Sequence, residues 1–285
     1  MKKLLILSGK GGTGKTTTAA AFIKFSNATA FADCDVDAPN LHIVSDFSCT
    51  PEEKSYIGSK KASIDTEKCI KCGACAENCN FNAIDVKDNE YSVNEYSCEG
   101  CGVCEHICPQ NAITLSDDVA GEMFLYKQEK VLSTAKLKMG RGNSGKLVTE
   151  VKFALANNTD KDSFAIIDGS PGIGCPVIAS ISGCDLVLIV AEPSLSGISD
   201  MERIIRTAQS FGANIAVCVN KYDTSIENSE KIKEFCNLNN INFTGYIPYD
   251  KLASKAINEC KSIAEIDCPM RDALFEVYNN TMKLI

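Results

Sequence analysis

Gly9-Lys10-Gly11-Gly12-Thr13-Gly14-Lys15-Thr16-Thr17 follows directly on the apolar run Lys3–Ser8 and leads into the helix-like stretch Lys15–Phe25. Gly-x4-Gly-Lys-Thr between a strand and a helix is the pattern of a phosphate-binding loop. Glycines let successive backbone N–H groups close around an anion, and the following helix adds the positive end of its dipole. In that setting Lys15 reaches the β- and γ-phosphates and Thr16 offers a hydroxyl to magnesium, while Gly11, Gly12, Thr13, Gly14 and Thr17 complete the cradle. Outward from the loop, apolar runs predict strands at Thr29–Asp33, Met123–Tyr126, Phe164–Asp168, Leu186–Ala191, Asn214–Asn220 and Asn242–Tyr246. Helix-like stretches alternate with them at Lys146–Ala156, Cys175–Ser182, Gly197–Phe211, Ile226–Asn239, Lys251–Asn258 and Pro269–Met282. This alternation predicts an α/β fold, a mostly parallel, doubly wound sheet with helices on both faces.

Two cysteine runs interrupt the series between its second and third strands. Cys69, Cys72, Cys75 and Cys79 form the first; Cys98, Cys101, Cys104 and Cys108, followed by Pro109, form the second. Both have the Cys-x2-Cys-x2-Cys-x3-Cys spacing of bacterial two-cluster ferredoxins, in which the fourth cysteine of each run ligates the other cluster. One 4Fe-4S cluster is then expected on Cys69, Cys72, Cys75 and Cys108, and the other on Cys98, Cys101, Cys104 and Cys79. Zinc is the plainer reading of paired Cys-x2-Cys, but it leaves the third and fourth cysteine of each run without a purpose. Asn80 stands where the second run has Pro109; neither is a ligand. The expected organisation is an ATPase domain in two parts, 1–62 and 115–285, around a small ferredoxin-like insertion at 63–114.

The chain has 285 residues, a net charge of −8 and 16 cysteines. The acidic balance argues against a nucleic-acid partner, which needs a concentrated basic face. Met1–Leu7 does not continue into a secretory apolar core, and no apolar stretch approaches the roughly 18–20 residues of a membrane span. Free thiols in such number point to a reducing cytoplasm.

Lys10 places a second lysine early in the phosphate loop, and with it the chain resembles the MinD/ParA/nitrogenase iron protein class of ATPases over most of its length outside the insert. In that class the early lysine reaches the partner's ATP across a nucleotide-sandwich dimer, so the resemblance implies a homodimer or a heterodimer with a related ATPase. Asp33-Cys34-Asp35 looks like the class's Asp-x-Asp element. The resemblance gives Asp33 to magnesium, Asp35 to the attacking water with Asp37 as competitor, and Asn40 to the first switch. Asp168-Gly169-Ser170-Pro171-Gly172-Ile173-Gly174 is similar to its Walker B strand and second switch, with Asp168 on magnesium. Asn220-Lys221 and Ile247-Pro248-Tyr249-Asp250 stand where the class contacts adenine, and Asn220 and Pro248 are taken as base contacts.

Cys175 occupies the position of one bridging-cluster ligand of the iron protein. Lys138-Met139 stand where the second would precede Gly140-Arg141-Gly142, so a four-cysteine bridge is not available. Cys175 is either a ligand at the dimer seam or a small buried thiol. Met139–Lys146 is a partner-binding loop or a helix entrance. The C-terminal helix carries only Arg271 and Lys283, which suits core packing better than the basic membrane helix of MinD; a membrane partner is not expected. Cys34, Cys49, Cys184, Cys218 and Cys236 read as small hydrophobes.

Together these readings resemble the small ATPases associated with metal–sulfur cofactor assembly. They imply ATP, Mg2+, two 4Fe-4S clusters, and a redox or cluster-accepting protein partner. Two other functions remain open at this point, an ATP-gated reductase in the manner of the nitrogenase iron protein and a spatial-positioning switch with structural or sensing clusters.

Overall fold

Strand β1 (Lys2–Leu7) is apolar from Leu4 to Leu7, and those four side chains are fully buried. A strand buried without alternation must be covered on both faces, as in a parallel α/β sheet. The computed structural model, which describes residues 1–45, 47 and 49–285, carries this through. In chain order follow α1 (Lys15–Phe25), β2 (Ala30–Asp33), β3 (Glu52–Ile57), β4 (Lys61–Ile64), α2 (Ala74–Glu77), β5 (Ile84–Lys87), β6 (Glu90–Val93) and α3 (Val103–Ile107). Next come β7 (Ile113–Ser116), β8 (Val119–Lys127), β9 (Val131–Leu137), α4 (Ser144–Asn157), β10 (Phe164–Asp168), α5 (Cys175–Ile181), β11 (Leu186–Ala191) and α6 (Leu195–Ser210). The chain ends with β12 (Asn214–Asn220), α7 (Ile226–Leu238), β13 (Asn242–Ile247), α8 (Leu252–Asn258) and α9 (Pro269–Met282).

The chain forms two compact units. The first comprises Met1–Glu53, Met123–Lys136 and Ser144–Ile285. Its strands run β13-β12-β11-β1-β10-β2-β9, and every pairing among these seven is parallel. Asp168 pairs with both Ile6 and Asp33. The register therefore sets two carboxylates side by side at the carboxyl ends of β10 and β2, next to the end of β1, where open α/β sheets bind ligands. In α6, Met201, Ile204, Ile205 and Ala208 bury one helical stripe. The Ser194 hydroxyl caps this helix by accepting the Gly197 N–H at 3.1 Å.

β9 was not expected. Its central positions are Ser133 and Thr134, both 1% exposed, so a buried strand reads as a polar turn. β3 was also unforeseen; only Tyr56 of its six residues is buried.

The second unit comprises Lys54–Glu122 and Leu137–Asn143. The expected insertion 63–114 lies within it, and the unit also takes in flanking strand residues and the Gly140-Arg141-Gly142 segment. Arg141 pairs with Glu95 at 2.7 Å and Asp118 at 3.2 Å, and helix α4 starts only at Ser144. The interior repeats itself. β4 pairs antiparallel with β7, and β5 with β6. Gly73 and Gly102, each at φ 82°, start α2 and α3 in the left-handed conformation. Asn82 and Asn111 match at φ 49°. The Asp65 N–H donates to the Ala112 carbonyl, and the Asn94 N–H to that of Ala83. One apolar cluster of this unit holds buried Ala62, Ala83, Cys98 and Ile113, with Ile64, Val93, Leu115, Cys75, Cys79, Cys104 and Cys108 packed against it.

Candidate functional site

The phosphate loop ends in Gly14 at φ 92°, which caps α1. Gly11, Gly12, Gly14, Lys15, Thr16 and Thr17 line one open cleft of about 660 Å³ with Asp35, Asp37, Asn40, Asn220 and Pro248. Thr13 is buried behind the loop. The Lys15 ammonium is 2.7 Å from Asp168 Oδ1 and 3.7 Å from Asp35 Oδ2, and the Thr16 hydroxyl donates to Asp168 Oδ2 at 2.7 Å. Burial alone would lower the Lys15 pKa, but Asp168 and Asp35 outweigh it and hold the ammonium above its ordinary value. Burial raises the Asp35 carboxyl, with Lys15 opposing.

Asp33 is fully buried, and its oxygens are occupied. Oδ1 accepts the Asp35 N–H at 3.0 Å, while Oδ2 accepts those of Asn40 and Leu41, each at 2.9 Å. Burial, then the Asp168 charge, pushes its pKa up to about 7. This carboxyl organises the loop between Asp35 and Leu41. The Thr16–Asp168 pair is the better place for a divalent cation.

Lys10 lies against its own chain. Its ammonium is 2.9 Å from Glu192 Oε2 and donates to Ser194 Oγ at 3.3 Å and Ser196 Oγ at 3.4 Å. Glu192 also receives Lys221 at 3.3 Å. Burial works against the Glu192 charge, yet the two lysines hold its carboxyl below the usual range. Glu192 carries no mark in the sequence beyond its position, since its lysines come from distant loops.

Asn220, expected at the adenine edge, is 2% exposed and donates Nδ2–H to the Thr13 carbonyl at 2.7 Å. Pro248 and Tyr249 do line the cleft. Cys175 is exposed, which removes the buried-thiol alternative. It abuts the start of α4, where a Cβ on Gly145 would stand 3.1 Å from the Cys175 carbonyl oxygen. Cys34, Cys218 and Cys236 are buried, as small hydrophobes should be.

In the second unit the eight cysteines line two small cavities of about 20 Å³ each. Cys69, Cys72, Cys75 and Cys108 line one; Cys98, Cys101, Cys104 and Cys79 line the other. Each fourth cysteine accepts a backbone N–H at its sulfur, Cys79 from Ala83 and Cys108 from Ala112, both at 3.3 Å. Burial raises the Cys75 and Cys104 thiols. Among the described residues, no group of three or more histidine, cysteine or acidic side chains is placed to hold a metal ion.

The parallel sheet, the phosphate loop and the two strand-end carboxylates define a P-loop nucleotide-binding α/β protein. The model of the CobQ/CobB/MinD/ParA nucleotide-binding domain matches residues 4–263, and the chain belongs to that family. It is similar to an uncharacterized protein of Methanocaldococcus jannaschii, with 31% identity covering 99% of this chain and 97% of the relative. Among solved structures, it resembles the ATP complex of Cyanothece McdA(D38A) at TM-score 0.60 and 18% identity, covering 99% of this chain and 96% of that one. It also resembles the Mg-ADP complex of the septum site-determining protein MinD from Pyrococcus horikoshii, at TM-score 0.58 and 17% identity, covering 99% and 96%. Among the described residues no helix is long and apolar enough to cross a membrane.

Proposed function

We propose that this protein is a magnesium-dependent ATPase carrying two 4Fe-4S clusters, a nucleotide-gated dimer that couples ATP to electron transfer or to metal–sulfur cluster assembly with a redox or cluster-accepting partner. The observation that carries this reading is the crosswise division of the eight cysteines, three from one run and the fourth from the other around each cavity. A unit of this length falls in the size range that usually needs a metal or disulfide staple, and its cysteines are free. Clusters bound there would supply one-electron redox chemistry.

With a nucleotide bound, Lys15 would turn from Asp168 to the phosphates, Thr16 and Asp168 would hold magnesium, and Asp35 would orient the attacking water. Asp33 fixes the loop that carries Asp35. Lys10 exchanges Glu192 for phosphate when two subunits close; its place beside Ser194 and Ser196 is the resting one. Magnesium, when bound, would supply charge neutralisation at the transferred group, beside that of Lys15 and Lys10.

The test is performed on anaerobically purified, dithionite-reduced protein. Oxidation of the cluster absorbance by a viologen acceptor is followed with ATP, with ADP and with a non-hydrolysable analogue. A rate that depends on the nucleotide supports coupling. Identical rates in all three would remove it and leave an ATPase whose clusters are structural.

A further inference from the structure

The second unit is an internal repeat, so its two halves can be compared position by position. One constant offset along the chain takes Cys69 to Cys98, Gly73 to Gly102, Asn82 to Asn111 and β4 to β6. The backbones agree: Lys71 and Gly100, related by that offset, have φ 60° and 65°. The sulfurs of Cys79 and Cys108 each accept one backbone N–H at the same 3.3 Å. The side chains that line the two cavities do not agree. Tyr91, Gln110 and Lys71 stand beside the first run, and the equivalent places beside the second hold Ala62, Phe81 and Gly100. All three exchanges replace a side-chain hydrogen-bond donor by none. A fourth takes Ile70 to Glu99, which adds a carboxylate to the second cavity.

The differences are built into the packing. A Cβ on Gly73 would stand 3.3 Å from the Tyr91 hydroxyl, which therefore sits at the wall of the first cavity, and nothing among the described residues engages it. A Cβ on Gly100 would stand 2.0 Å from the Lys60 carbonyl oxygen. The Lys60 backbone thus covers the second run where the first projects the exposed Lys71. Cys98 is accordingly 7% exposed, while Cys69 is only partly buried. One exchange runs the other way: Lys61 donates to the Cys98 carbonyl, and its equivalent is the acidic Glu90. Neither of those side chains lines a cavity, and Lys71 offsets Glu90 at 3.2 Å, so the four exchanges at the cavity walls set the sign.

Reduction adds one negative charge to a cluster. Donors to its sulfurs, a nearby cation and contact with water favour that charge, whereas an apolar wall and a carboxylate oppose it. We propose that Tyr91, Gln110 and Lys71 give the cluster of the first cysteine run the higher reduction potential, and that Glu99 and the apolar wall hold that of the second run lower. A single electron taken from a low-potential one-electron donor then rests at the first run; the donor is oxidised, and no bond forms or breaks. The proposal rests on the two-cluster reading of the cysteines.

The experiment is an anaerobic redox titration of the full chain followed by electron paramagnetic resonance. The signal that Cys108→Ser alters or abolishes belongs to the first run. It should appear first on reduction, with the electron favouring that site at least tenfold, which is about 59 mV. Tyr91→Phe removes only the hydroxyl and should cut the preference about fivefold, as for the loss of one hydrogen bond, by lowering the first-run potential alone. Glu99→Gln should narrow it from the other side, by raising the second-run potential alone. Iron per chain and thermal unfolding confirm that both variants are loaded and folded. Signals that rise together, or a second-run signal that rises first, would overturn the proposal, and so would wild-type potentials in Tyr91→Phe. Wild-type protein with about four irons or fewer would instead remove the cluster reading beneath it.

Discussion

Replacing Lys15 by methionine tests the electrostatic design of the site without any ligand. The ammonium is 5% exposed, Asp168 is fully buried, and they stand 2.7 Å apart. Removing one partner of such a pair strands a buried charge, which typically costs 3–5 kcal/mol. The Thr16 hydroxyl still donates to the other oxygen of Asp168, so the lower end applies, about 3 kcal/mol. Asp168→Asn removes the stranded charge. The double variant Lys15→Met/Asp168→Asn should therefore recover most of the loss and lie within about 1 kcal/mol of wild type, a coupling of at least ~2 kcal/mol. The assay is urea unfolding at neutral pH with chelator and no nucleotide. Additive losses, with coupling under ~0.5 kcal/mol, would refute the pair as an energetic unit and with it the idea that bound phosphate replaces Asp168 as the partner of Lys15.

Two further outcomes follow from named groups. Asp33 is raised from 3.8 to about 7 by burial and by Asp168, so the folded state holds its proton more tightly than the unfolded chain does. That contribution is fully present below about pH 4 and is lost from the ligand-free protein as pH rises through about 7. Urea unfolding at about pH 5 and about pH 8 should show a steeper loss for wild type than for Asp33→Asn, and equal slopes would contradict the raised value. Cys108→Ser should perturb the cluster proposed for the first cysteine run, whose cavity it lines, and leave the one proposed for the second intact. Electron paramagnetic resonance of the reduced variant checks this, and a disturbed second-run signal would break the crosswise assignment.

Much of this molecule was legible because local chemistry and tertiary role coincide. β10, β11 and β12 are continuous apolar runs in a parallel sheet, and the phosphate loop needs its glycines wherever it occurs. The spacing of the two cysteine runs anticipated which thiols line each small cavity, three from one run and the fourth from the other. β9 was not, because Ser133 and Thr134 are polar residues at buried positions. The contacts that Asn220 and Asp33 make within the chain were hidden for a common reason. Their partners are backbone groups, the Thr13 carbonyl and the N–H groups of Asp35, Asn40 and Leu41, and a backbone group leaves no mark in sequence. Glu192 needed the sheet to bring Lys10 and Lys221 to one carboxylate.

Iron and acid-labile sulfide per chain in anaerobically purified protein test the central proposal most directly. Two 4Fe-4S clusters predict about eight of each. Folded protein with about four irons or fewer, or with zinc in their place, would contradict it.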